Sequence, residues 1–173
     1  MSLLNRLNQA EIQLCLTFNR MNHRPATSRL FGVVSRLGDG LFWYLIMLAL
    51  PLLHGREAWY ASLHMMAVGV VSLPIYKVLK STTVRHRPFR HNTDIHQNVP
   101  PLDQFSFPSG HTMHAVGFSI ALLAHYPAWA LVVVPFTVLV AMSRLVLGLH
   151  YPSDVLAGAL IGAALALLSL PLF

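Results

Sequence analysis

In the stretch SRLVLGLHYPSD, residues 143–154, an arginine, a histidine and an aspartate stand among apolar neighbours as Arg144, His150 and Asp154. An imidazole held at one ring nitrogen by a carboxylate presents the other as a nucleophile or base. Pro152 suits the first turn of a helix starting here, which places Asp154 near the helix N-terminus. There Asp154 either accepts a hydrogen bond from His150 or only caps the helix and answers its dipole. Arg144 also has two readings. An arginine in or beside hydrocarbon faces a partner or watery cavity, or it snorkels to lipid headgroups.

FPSGHT, residues 107–112, is a second such stretch. Ser109 can cap the helix that opens here, and Gly110 lets a ligand approach the backbone. A hydroxyl and free amides then converge on one spot, which is an anion site by construction. His111 beside them can give a proton to a leaving oxygen. A third element is Lys80 followed by Arg87-Pro88, in KSTTVRHRP. A compact ammonium and a forked guanidinium together suit a tetrahedral dianion. The ordinary alternative is an electrostatic hold on anionic headgroups.

The elements that must carry these groups are written in the composition. The 173 residues are 55% hydrophobic and only 10% charged, against roughly 25% charged in soluble domains. Long uncharged runs cover 41–55, 58–76, 112–143 and 155–173, and about 20 apolar residues span a bilayer as a helix. The third run is long enough for two crossings, with a turn at His125-Tyr126-Pro127. The expectation is one domain over residues 1–173, an all-α polytopic membrane bundle of five to six crossings. Helices are expected near 40–54, 58–79, 109–125, 128–148 and 152–172, after a break at Gly38-Asp39-Gly40. Ahead of them, Arg6, Gln9, Gln13, Thr17 and Arg20 recur at helical spacing and leave Leu3, Leu7, Ala10, Leu14 and Phe18 to another side. That fits an interfacial helix lying on the membrane or a helix packed on protein, and polar residues interrupt any cleavable leader. The single cysteine, Cys15, excludes an internal disulfide and a cysteine-based zinc cluster.

Between the second and third crossings lies the polar segment 80–108, long enough to imply a function. Crossing parity puts it on the same face as residues 144–154. Lys80 with Arg87-Pro88, then Pro108-Ser109-Gly110-His111, then Ser143-Arg144 with His150 and Asp154 fill every position of a tripartite signature, and the sequence resembles the type-2 phosphatidic acid phosphatase superfamily. The matched region, 80–154, is about half the chain. The resemblance implies a metal- and cofactor-independent membrane lipid phosphatase acting through a phosphohistidine. In that scheme His150 attacks phosphorus, Asp154 orients it and His111 is the acid and then the base. Lys80, Arg87, Ser109, Gly110 and Arg144 bind the phosphoryl oxygens.

The expected partners are a membrane lipid phosphate and the bilayer, with no nucleic acid and with oligomeric state unassigned. Candidate substrates are undecaprenyl diphosphate, phosphatidylglycerophosphate, phosphatidate and lipid A phosphate. Rival readings are a lipid-linked phosphotransferase, an anion carrier and a vanadate-using oxidase. The resemblance places the site on the outer face of the plasma membrane. The charge count argues for the cytoplasm: of 12 Lys and Arg, only Arg56 lies on the opposite face. Other residues receive structural readings. His86, His91 and His96 lack a helical metal-ligand spacing, His114 packs, and His64 makes an interhelical hydrogen bond. Lys77 touches lipid, while Gly158 and Gly162 allow close helix packing.

Overall fold

The computed structural model describes residues 3–173, with side chains described from Asn8 onward. The N-terminal face read at Leu3, Arg6 and Leu7 lies outside the described side chains. Eight α-helices are α1 Leu3–Asn19, α2 Pro25–Arg36, α3 Phe42–His54, α4 Trp59–Thr83, α5 Pro88–His91, α6 Gly110–His125, α7 Ala130–Val146 and α8 Pro152–Ser169. Four segments are long and apolar enough to cross a membrane: Pro25–His54, Arg56–Thr83, Pro127–Val146 and Pro152–Leu172. Leu48, Leu52, Leu131, Leu160 and Leu168 are exposed on their outer faces. Such a belt of outward apolar side chains belongs against lipid, and the protein is a membrane-integral helical bundle.

The fifth long helix, α6, has 16 residues and is about 24 Å long at 1.5 Å per residue. It sits at the centre, packed by α4, α7 and α8, and so has little contact with lipid. Small residues let it do so. A Cβ at Gly162 would lie 2.1 Å from the Met113 carbonyl oxygen, and one at Gly158 would lie 2.5 Å from that of Ser109. The backbones of α6 and α8 therefore touch, as the glycine pair implied. Elsewhere on α6 and α8, His64 of α4 bonds His125 at 3.2 Å and Ser169 at 2.7 Å, an interhelical contact as expected.

The break expected at Gly38-Asp39-Gly40 is a kink and not a loop. α2 runs through the turn Leu37–Leu41 into α3, with Gly40 at φ 138°. Only glycine enters that region freely. α4 continues past the expected end at 79 to Thr83, where Thr82 and Thr83 hydroxyls bond carbonyls of Val78 and Leu79. It stops at Val84 in a left-handed conformation, φ 48°. Lys80 thus stands on the last helical turn.

α1 turns Asn8, Glu11, Cys15 and Asn19 inward, a polar stripe at helical spacing. Leu14 is half exposed, consistent with an apolar side lying on the membrane surface. The inward asparagines fasten the long connection between α4 and α6. Asn19 bonds the His96 backbone at both its amide and carbonyl and also reaches the Val146 carbonyl, while Asn22 bonds the His96 carbonyl at 2.7 Å.

The packing of α8 on α6 is testable. Gly162→Ala must push against backbone and is expected to cost about 1–3 kcal/mol of stability. Ala164→Leu, on the exposed side of the same helix, is expected to leave it unchanged. Thermal unfolding of detergent-solubilised protein measures both, and equal midpoints for the two variants would refute the close contact.

Candidate active site

After α7 the chain reverses tightly. The Arg144 carbonyl accepts from the amides of both Leu149 and His150 at 3.1 Å, and Gly148 turns the corner at φ 69°. A Cβ there would meet Ile95 at 2.4 Å. The reversal returns His150 to the level of Arg144 and delivers the chain to Pro152, the first residue of α8. Asp154 is fully buried, and its Oδ2 accepts from the Tyr151 amide at 2.9 Å while lying 3.6 Å from His150 Nδ1. Capping and orientation are therefore one arrangement. The imidazole faces the carboxylate slightly beyond hydrogen-bond length.

The remote motifs meet here. Arg87 Nη1 lies 3.3 Å from His150 Nε2 and donates to the Leu149 carbonyl at 2.8 Å. Lys80, Arg87, Gly110, His111, Arg144 and His150 all line one cavity of about 800 Å³. Its polar end holds these residues. Much of the rest of its lining is apolar, from Trp43, Met47, Met66, Val70, Leu73 and Phe118, with Lys77, Ser81 and His114 among the polar exceptions. Of the predicted residues, Ser109 and Asp154 stand behind this wall. Ser109 is fully buried, with its hydroxyl 2.9 Å from Thr112 Oγ1, and it caps α6. Its amide donates to the Asp154 carbonyl at 3.0 Å, which joins the second motif to the third through the backbone.

Burial, followed by the charges of Arg87, Arg144 and Lys80, holds the His150 ring well below its ordinary value. It is consequently neutral at neutral pH and has a lone pair available at Nε2. Arg144 is buried and donates through Nη1 to Ser35 Oγ of α2, while its Nε has no partner among the described residues. A buried donor without a partner is uncommon, and this one belongs to a residue of the same cavity wall as Lys80 and Arg87.

Four acidic residues complete the site, and only Asp154 was read from the sequence. Asp103 receives both oxygens' bonds from Lys80 Nζ, at 2.9 and 2.8 Å, and a third from Arg87 Nη2 at 2.8 Å. Its carboxylate occupies the seat of an anion between two cations. Burial alone would raise its pKa, but Lys80 and Arg87 outweigh this and hold it below the usual carboxylate range. Asp39, presented by the kink between two glycines, contacts His111 Nε2. Glu11 of α1 and Arg85 form the third group, with Arg85 bonded to Asp154 Oδ1 at 2.7 Å and to Glu11 Oε2 at 2.6 Å. An acid between two glycines in an apolar run was a visible signal for Asp39. Asp103 lies in a segment without periodicity, and Glu11 lies on a helix whose spacing does not show which distant residue it meets. Of the other histidines, His86 and His91 have ring centres 6.2 Å apart, His96 meets His23 edge-on, and His114 stacks on Phe118 and reaches the cavity.

Known proteins are similar to this chain in sequence and fold. The chain is 30% identical over 159 residues to phosphatidylglycerophosphatase B of Bacillus subtilis, covering 84% of this chain and 68% of that protein. It is 32% identical over 101 residues to the undecaprenyl-diphosphatase of Sulfolobus acidocaldarius, covering 58% of this chain and 49% of that one. The chain thus spans about half to two thirds of the length of these curated relatives. The crystal structure of Aquifex aeolicus LpxE superposes with a TM-score of 0.76 at 25% identity, covering 94% of this chain and 95% of that chain. The family model described as the PAP2 superfamily matches residues 57–173, which contain all three motifs, and the chain therefore belongs to the PAP2 superfamily.

Proposed function

We propose that the protein is a metal-independent lipid phosphatase that hydrolyses a phosphomonoester or diphosphate of a membrane lipid through a phosphohistidine on His150. One observation carries the reading: a neutral, buried imidazole and three cations sit at the polar end of a cavity whose lining elsewhere is largely apolar. That geometry fits a ligand with a phosphate head and a hydrocarbon tail. Relatives named for undecaprenyl diphosphate, phosphatidylglycerophosphate and lipid A support this class.

In this mechanism the phosphate takes over the positions held by Asp103, between Lys80 and Arg87, and a further oxygen meets Arg144. Those cations draw charge from phosphorus, while the start of α6 at Gly110 adds the partial positive charge of a helix N-terminus. His150 Nε2 attacks phosphorus in line, with Asp154 facing its other nitrogen. As the bond to the leaving oxygen breaks, His111 supplies the proton. His111 then removes a proton from water, which attacks the phosphohistidine and returns His150 with inorganic phosphate. Asp39 beside His111 keeps the ring oriented for both steps.

Its proposed address is the plasma membrane, with the site facing outward. Lys80, Arg85, Arg87 and Arg144 on that face are engaged inside the protein. They therefore carry less weight as cytoplasmic anchors than a bare count of charges gives them.

Three outcomes test the reading. Phosphate release from a panel of purified lipid phosphates is expected from the wild type and to fall at least about 1,000-fold in His150→Ala and His111→Ala, with both variants still extractable as folded protein. Near-normal release by His150→Ala would end the assignment. Asp103→Asn leaves Lys80 and Arg87 free for an incoming anion and is expected to tighten inhibition by inorganic phosphate about tenfold. Weaker inhibition would mean that Asp103 builds the cradle. For pH, His150 loses its lone pair only below its depressed value. The acid limb of kcat/KM, corrected for the second ionisation of the substrate phosphate near pH 6, is expected below the roughly 6.5 of a free imidazole. A limb at or above that value would contradict the cation-surrounded nucleophile.

A further inference from the structure

We propose that Glu11 and Arg85 are positioning residues for Asp154, which makes the N-terminal helix part of the device that aims the nucleophile. The proposal rests on the reading of His150 as nucleophile. Arg85 is two residues before the Arg87 of the first motif, and as a cation in that stretch it would be grouped with the phosphate ligands. Its surroundings assign it otherwise. It is 1% exposed and is absent from the cavity wall that Lys80, Arg87 and Arg144 share.

All its donors are turned away from the cavity, towards α8 and α1. Nη1 donates to Asp154 Oδ1 at 2.7 Å and to Ser153 Oγ at 2.6 Å, Nη2 to Glu11 Oε2 at 2.6 Å and Nε to Asn8 Oδ1 at 2.8 Å. Its guanidinium lies over the Tyr151 ring at 3.9 Å. The group is fixed both in its plane and across it. Glu11 in turn accepts from the Ser153 amide and hydroxyl, each at 2.7 Å, so it grips the first turn of α8 as well as the cation.

The consequence falls on one carboxylate. With Oδ1 tied to Arg85 and Oδ2 to the Tyr151 amide, Asp154 cannot rotate, and Oδ2 is kept towards His150 Nδ1. Without Arg85, Glu11 and Asp154 would be two buried carboxylates around Ser153 with nothing between them. Without Glu11, the guanidinium would have one carboxylate in place of two and would be free to turn. Either loss disorders the group that orients the nucleophile but leaves Lys80, Arg87 and Arg144 in place.

Steady-state phosphate release by the full-length protein in detergent separates the outcomes, using a lipid phosphate that the wild type hydrolyses, with inorganic phosphate as the probe of the cradle. Glu11→Gln is expected to lower kcat about 10- to 100-fold, the range for groups that orient a reactive ligand. KM and phosphate inhibition should stay within about twofold. Arg85→Lys, which keeps the charge, is expected to retain more of kcat than Arg85→Gln. In an Asp154→Asn background, Glu11→Gln should change kcat by less than about twofold, because the group it positions is gone. Wild-type kcat in Glu11→Gln, an equal loss in both backgrounds, or parallel weakening of phosphate inhibition would each overturn the proposal. If the Arg85 variants do not fold, the Glu11 and Asp154 pair decides alone. Inactive His150→Ala beside fully active Glu11→Gln would remove this proposal only, whereas active His150→Ala would remove the proposed function and this inference with it.

Discussion

A charge taken out of water beside hydrocarbon needs a partner, and the site is organised around that need. Removing a guanidinium or ammonium from solvent carries a penalty of several kcal/mol unless opposite charge and hydrogen bonds replace the water. Lys80, Arg85, Arg87 and Arg144 are all buried at the polar end of the bundle. The chain has only 6 acidic residues, and four of them, Glu11, Asp39, Asp103 and Asp154, stand against these cations or the two central histidines. The net positive charge of the sequence is therefore not spread evenly. Where the cations are most concentrated, most of the acid of the molecule is gathered beside them.

Arg85 and Arg87 show how the same residue type is divided between two tasks. They lie only two residues apart, yet their guanidinium groups reach different partners. Arg87 enters the cavity and meets His150, while Arg85 goes behind it and meets Asp154. The histidine and aspartate are themselves four residues apart across the start of α8. One segment of chain thus meets both members of the pair, and Asn19 and Asn22 fasten the connection farther along, at His96.

The sequence made the membrane bundle legible because uncharged runs of bilayer length have few other uses, and three motifs on one predicted face gave the centre of the site. Lys80, Arg87, Gly110, His111, Arg144 and His150 met as expected. The rest was hidden for distinct reasons. Glu11 is 143 positions from Asp154, and its partner Arg85 belongs to none of the three motifs, so nothing local tied them. Asp103 lies in a connection without periodicity, and the side chains that hold it, Lys80 and Arg87, are 23 and 16 positions away. Ser109 was read as a phosphate ligand because its position suits both an anion and a helix cap. The structure shows the cap, with the hydroxyl 2.9 Å from Thr112 Oγ1. The glycines at 38 and 40 were read as punctuation, yet the chain bends there without stopping and carries Asp39 to His111.

The link from the Ser109 amide to the Asp154 carbonyl, below which Gly158 and Gly162 bring α8 onto α6, involves no side-chain functional group. The spacing between the helix that starts at Gly110 and the helix that carries Asp154 is thus set in large part by main chain. That part of the scaffold behaves as a jig whose spacing belongs to the backbone.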